Sequence, residues 1–402
     1  MCCQNIIHLV NMIQASNKIQ YLEGIRGVAA MMVVFHHFFL AFYPAYYFGG
    51  EPSISHLGTT ELNYWRSPLS FLTNGDFMVC VFFVLSGYVL SRAYFKSNNI
   101  ETLVSSAARR FFRLYIPLAV ALIIAFIVLK CGFKAINQTV VTSRSAWLFQ
   151  TVPEDQSFGT FLRYLLYRTM FFIDNHYVTS TWTISIEFFG SMLVFASLAL
   201  THGIKHKWFF SIVPALIGYF FFNEYYMAFA FGILMNYLEK VNTEKIKYRG
   251  FLVAIMLILG LIMGGYPSWQ LSVDKETFYS FASHPLLVEH CRTIHVVGAA
   301  FIIASAILSS TFQKIFSGKL FVFLGDVSFS SYLIHPIIVT TITLWVFLGI
   351  YNGQDNYGFA TFISLIVTVI VTLIMAKIMT VYVDKPATRF SKNLYTRFFK
   401  AN

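Results

Sequence analysis

Ionisable side chains inside an apolar run are costly to insert and by default mark functional positions. This chain places two of them, His36 and His37, in a run that begins near Gly27, with Arg26 at its start. Eleven residues separate Arg26 from His37, and on an α-helix that is about 16 Å of rise on nearly one face, whereas His36 points about 80° away from Arg26. One face therefore offers a permanent cation at one end of a span and a titratable imidazole near its middle. A long anionic ligand with a reactive end suits that arrangement. An acyl-coenzyme A has the shape, with phosphates that prefer arginine and a slender arm ending in a thioester. A neutral imidazole would take the proton of an attacking hydroxyl as general base. A covalent acyl-imidazole and a plain interhelical hydrogen bond are the competing uses of His37.

Other polar groups extend the set. Glu187, near the start of a later apolar run, falls on the outer half of its span and would orient an acceptor hydroxyl or pair with an intramembrane cation. Tyr332 and His335 lie three apart on one helical face, so they would line an acceptor path or bond between helices. Ser86 precedes Gly87 within a span, a pair that reads as a close helix contact rather than a nucleophile. His176, His202, His206, His284, His290 and His295 fall in loops or at span edges, where solvated or capping roles are expected. The five cysteines show no C-x-x-C spacing and no paired histidines at ligand distances, so no metal site is expected. Cys131 and Cys291 both fall on the outer side, and whether they pair is open.

The elements that position these groups follow from composition. Of 402 residues, 57% are hydrophobic and 12% charged, against about 25% charged in soluble domains. Lipid is therefore the main solvent, and continuous apolar runs of roughly 20 residues must be helices. The fold class is all-α, a polytopic integral membrane protein of about ten transmembrane helices. They begin near Gly27, Phe77, Leu114, Ser180, Trp208, Tyr225, Gly250, Ile294, Phe329 and Phe359. The net charge of +11 sits between these runs instead of on one soluble face, which argues for the bilayer and against nucleic acid as partner. Lys and Arg cluster in alternate loops, such as Arg109, Arg110 and Arg113, and in the tail, which predicts both termini on the cytoplasmic side. The stretch Leu162 to Phe172, apolar but broken by Arg163 and Arg168, reads as an interfacial helix. The organisation expected is a cytoplasmic segment 1–20, a transmembrane domain 21–390 and a cytoplasmic tail 391–402.

The run from Tyr21 to Ala30, containing Glu23-Gly24-Ile25-Arg26-Gly27 and followed by His37, resembles the opening signature of the membrane-bound acyltransferase-3 family, an Arg or Lys, ten residues, then His. Phe82 to Tyr88 with Arg92 resembles its second-span motif, and Arg110-Phe111-Phe112-Arg113 before Pro117 its cytosolic arginine pair. Trp182-Thr183-Ile184-Ser185-Ile186-Glu187 is similar to its Trp-Ser/Thr-x-x-x-Glu motif. Phe323-Leu324-Gly325 with Ser328 to Pro336 resembles its penultimate span, and Asp384-Lys385-Pro386 its acidic-x-Pro terminus. These stretches occur in the family's order from residue 21 to about 390. Glu23 stands where Asp is usual, and a second histidine precedes His37.

The resemblance implies an O-acyltransferase with His37 as catalytic base, Glu187 in the site, and Arg26, Arg110 and Arg113 at the donor, where bidentate guanidinium contacts suit phosphates. Arg110 and Arg113 also sit where positive-inside residues are expected in any case. It implies acetyl-coenzyme A or another acyl-coenzyme A as co-substrate, with no tightly bound cofactor. The acceptor implied is a hydroxyl of a carbohydrate of a cell-surface polymer or glycolipid. The location implied is the plasma (inner) membrane if the source is bacterial. The rival reading is a proton-coupled secondary transporter, since intramembrane His, Arg and Glu also build proton relays.

Overall fold

The computed structural model describes residues 19–49, 52–131, 135–204, 213–221, 223–241, 246–268 and 277–399, and all regular structure among them is helical. Among the described residues seven helices are long and apolar enough to cross a membrane. In chain order the principal helices are α1 (Gln20–Phe42), α2 (Gly75–Ser97), α3 (Ile100–Lys130), α4 (Trp182–Leu200), α5 (Val213–Phe221), α6 (Tyr226–Leu238), α7 (Arg249–Gly264), α8 (Cys291–Leu308), α9 (Lys319–Ile350), α10 (Tyr357–Met379) and α11 (Lys385–Phe399). The expected spans near Tyr225 and Gly250 are α6 and α7, apolar but shorter than a full crossing. The one near Trp208 lies partly outside the described residues, its described part being α5.

Local chemistry sets the connections. Asn98 closes α2 in the left-handed conformation (φ 49°), and the next residue, Asn99, caps α3 by accepting the Glu101 amide at 2.8 Å. Back-to-back stop and start signals turn the chain within two residues. They return Arg109, Arg110 and Arg113 to the end of the bundle where α1 begins, called the inner end below.

The site rests on the contact between α1 and α9, the most extensive in the fold. It depends on missing side chains: a Cβ on Gly27 would overlap the backbone of Leu324 and Gly325, and a Cβ on Gly325 would overlap Glu23. Small residues let helix backbones meet in lipid, where no hydrophobic force draws helices together. Gly325→Val is therefore expected to separate α1 from α9, destabilising by about 1–3 kcal/mol or more. A lowered melting temperature in lipid nanodiscs checks this, and an unchanged one would mean that the helices can shift apart at no cost.

The stretch Leu162 to Phe172 is helical in pieces, Phe158–Arg163, a π-turn Tyr164–Arg168 and Thr169–Phe171, with Leu166, Tyr167 and Phe172 exposed as an interfacial element requires. Cys131 is exposed, Cys291 is buried and both are free thiols, so no bridge joins them. α11 starts at Lys385 and runs through residue 391 without a break, packed on α3.

Candidate active site

Arg26 sits one and a half turns into α1, and its guanidinium ties that helix to α9. Nε donates to Ser328 Oγ at 2.8 Å, and Nη2 to the Gly325 carbonyl at 2.9 Å and to Glu23 at 2.5 Å. The same guanidinium lines a cavity of about 180 Å³ shared by α1, α2, α3, α4 and α9. Arg110, Arg113, Glu187 and Tyr332 line it as well, so five of the seven expected site residues meet there. Arg110 is almost fully buried; its Nη2 pairs with Glu187, and its Nε donates to Ser191 Oγ at 2.8 Å. Ser86 Oγ donates to the same Glu187 oxygen, so Ser86 belongs to the carboxylate's shell; the close helix contact is Gly87, against Phe229 on α6.

Glu187 was expected on the outer half of its span. It is the sixth residue of α4, in the half nearer the outer loop, and lies opposite the middle of α2, joined to an arginine that enters from the inner end. The fold of the chain at the start of α4 brings Ser180 and Thr183 to Tyr332, partway along α9. Proline chemistry anchors that fold: Pro336 lacks an N–H and frees the carbonyl of Tyr332, four residues earlier, and Ser180 Oγ donates to it at 2.9 Å. In lipid such a freed carbonyl must find a side-chain partner. Ser180→Ala would strand it in a buried setting and cost about 1–3 kcal/mol. Denaturant unfolding in micelles reads the difference, and a variant as stable as wild type would show that the carbonyl finds another donor.

His37 and His335 do not line this cavity. They face each other behind Tyr332, with ring centroids 4.9 Å apart and His335 Nε2 2.9 Å from His37 Nδ1. Their backbone contacts fix the protons. His335 Nδ1 lies 2.9 Å from the Ser331 carbonyl, and a carbonyl can only accept, so Nδ1 carries the hydrogen and Nε2 of the neutral ring is a lone pair. That lone pair accepts from His37 Nδ1–H, which also faces the Val33 carbonyl at 3.1 Å. In the neutral pair the Nε2 of His37 is likewise unprotonated, and unlike that of His335 its lone pair is not used within the pair. His36 is separately employed, its Nδ1 donating to the Thr73 carbonyl at 2.8 Å.

A second cavity, of about 240 Å³, lies on the outer side, beneath the loops that follow α3. The two are aligned along α9: Phe329 and Tyr332 line the inner one, Pro336 and Thr340 the outer. Between them Thr183 Oγ1 donates to the Tyr332 hydroxyl at 3.0 Å, closing a septum beside the histidine pair. Trp147, from the outer loop, packs its ring 5.3 Å from that of His37. In the same loop the Asp155 carboxylate is held down to about 2 by Thr160 and Ser157, so it stays ionised and locally satisfied.

One cluster was missed. His295, expected at a span edge, is fully buried on α8; its Nδ1 lies 3.2 Å from Asp76 and its Nε2 2.7 Å from the Tyr266 carbonyl. Tyr225 donates to the same Asp76. The sequence held a hint in Asp76, an acid at the start of an apolar run, which needs a partner from another helix. Among the described residues no group of three or more His, Cys, Asp or Glu is placed to hold a metal.

A helical membrane bundle with an arginine-lined inner cavity and a histidine pair at mid-span defines an intramembrane enzyme more readily than a scaffold. The acyltransferase-3 family model, described as an acyltransferase domain, matches residues 19–377, and the chain belongs to that family. It is 22% identical to Acyltransferase R4 of Phoma sp. over 382 residues, 79% of this chain and 80% of that protein. It is also 22% identical to Acyltransferase clz18 of Cochliobolus lunatus over 460 residues, 93% and 95% of the two chains. No solved structure gives a match. The chain is thus a membrane acyltransferase at the level of its family, and nothing in the fold or the comparisons supports the transporter reading.

Proposed function

We propose that the protein transfers an acyl group, acetyl in the simplest case, from a coenzyme-A thioester entering at the inner end to a hydroxyl of an acceptor, with a carbohydrate or glycolipid as the acceptor class suggested by the family resemblance. The observation that carries this reading is the histidine pair: its hydrogen bonds leave a lone pair on His37 Nε2, behind the Tyr332 that lines the arginine-lined cavity. The acceptor O–H gives its proton to His37 Nε2 while its oxygen attacks the thioester carbonyl. The C–S bond then breaks, and the leaving thiolate takes the proton back from the imidazolium.

Size and charge limit how the donor sits. A cavity of 180 Å³ is smaller than the roughly 300 Å³ of ordinary small-molecule sites, so only the acyl end and its slender arm enter. The lining carries three arginines, Arg26, Arg110 and Arg113, and three carboxylates, Glu23, Glu187 and Asp384. Its net charge is therefore near zero. Phosphates would be held at the mouth, by Arg113 and by the basic residues of α11 such as Lys385 and Arg389, with the donor acting as co-substrate and not as a resident cofactor. Arg113→Ala is expected to raise the KM for acetyl-coenzyme A about tenfold, as for loss of one charge-assisted hydrogen bond of roughly 1.5 kcal/mol, with kcat little changed. An unaltered KM would move the donor away from this cavity.

A further inference from the structure

We infer that the outer cavity is the acceptor's chamber and that the acceptor is an uncharged, amphiphilic alcohol; this rests on the acyl-transfer reading above. Among the described residues no Asp, Glu, Lys, Arg or His lines the chamber. Its wall mixes aliphatic side chains, among them Val128, Leu129 and Ile337, with neutral hydrogen-bonding ones, among them Asn137, Gln156 and Thr340. A carboxylate or phosphate entering it would lose water and meet no cation of this lining, which costs several kcal/mol per ion. An uncharged polyol or alcohol with an apolar part loses little. A further sign of a ligand is Thr179: its hydroxyl is buried, lines the chamber, and has no hydrogen-bond partner among the described residues. Buried hydroxyls are normally satisfied, and an acceptor hydroxyl would satisfy this one.

The chamber's position supports the same role. Tyr177, Val178 and Thr179 line it immediately before Ser180, which holds the Tyr332 carbonyl, and Pro336 lines it immediately after His335. An alcohol in the chamber is thus one septum away from the acyl end, with the Tyr332 side chain between them. Thr340 and Thr341 lie on a π-turn of α9, Val339–Thr343, an irregularity that recurs at functional sites in helices.

The test uses the full chain in nanodiscs. A Thr340→Cys variant in a Cys131→Ser background is labelled with a neutral maleimide, with octyl glucoside as the neutral probe and octyl glucuronide as the anionic one. In parallel, transfer of radiolabelled acetyl from acetyl-coenzyme A to each probe is measured for the otherwise unaltered protein and for Thr179→Val. The expected result is that octyl glucoside slows labelling and accepts acetyl, that octyl glucuronide does neither, and that Thr179→Val raises the acceptor KM about fivefold without moving the donor KM. Acetylation of octyl glucoside with labelling unslowed and the Thr179→Val KM unchanged would overturn the chamber while leaving acyl transfer intact. Equal use of both probes would overturn the uncharged class. Failure of the unaltered protein to consume acetyl-coenzyme A at all would overturn the acyl-transfer reading, and this inference with it.

Discussion

Glu187→Gln is expected to destabilise the protein by on the order of 3 kcal/mol and to abolish transfer. Arg110 is buried in the wall of the inner cavity, with its charge balanced by Glu187. Breaking a buried pair by removing one partner leaves an uncompensated charge, and such breaks typically cost about 3–5 kcal/mol. Water in the cavity places this one at the lower end. Ser86 would at the same time keep only a neutral amide oxygen in place of the carboxylate, whereas Ser191 bonds the Glu187 backbone carbonyl and is unaffected. The double variant Arg110→Met with Glu187→Met removes both charges and is expected to recover most of the stability, since apolar replacement of a whole buried pair is often neutral. It is expected to stay inactive, because the cavity wall has lost its shape and polarity. Thermal unfolding of wild type, both single variants and the double variant separates the two effects, and purely additive losses would show that the pair is not coupled.

The second large effect is chemical. His37→Ala removes the one unprotonated ring nitrogen that the pair's own hydrogen bonds leave unoccupied, and general-base catalysis typically contributes roughly 10²–10⁴-fold. A fall of that size in kcat is expected, with the donor KM little affected, because the proposed phosphate contacts lie at the inner mouth. His335→Gln keeps a side chain of similar reach but does not fix the proton on His37 Nδ1, so a smaller loss is expected. Equal losses in the two variants would make His335 a reacting group instead of a positioning residue.

Much of this site could be read from residue type and spacing. Arg26 and His37 on one helical face follow from helix geometry alone, and the arginines and Glu187 meet in one cavity. Three features escaped for physical reasons. The Arg110–Glu187 and His37–His335 contacts join residues 77 and 298 positions apart, and the periodicity of a single helix carries no information about such distances. The meeting of the start of α4 with Tyr332 rests on the bond between Ser180 and a carbonyl freed by Pro336. Hydropathy registers the proline but not its partner. His295 escaped because a histidine four residues into a span resembles an edge residue until Asp76 is seen beside it. The membrane topology was legible where runs are long, and α6 and α7 are apolar but shorter helices.

The most direct test of the central claim is incorporation of radiolabelled acetyl from acetyl-coenzyme A into a membrane acceptor, comparing wild type with His37→Ala at equal, verified insertion. The structure predicts labelling by wild type and a loss of at least a hundredfold in His37→Ala, the lower end of the usual range for a general base, with donor binding retained. Undiminished labelling in His37→Ala would contradict it and would place the base elsewhere.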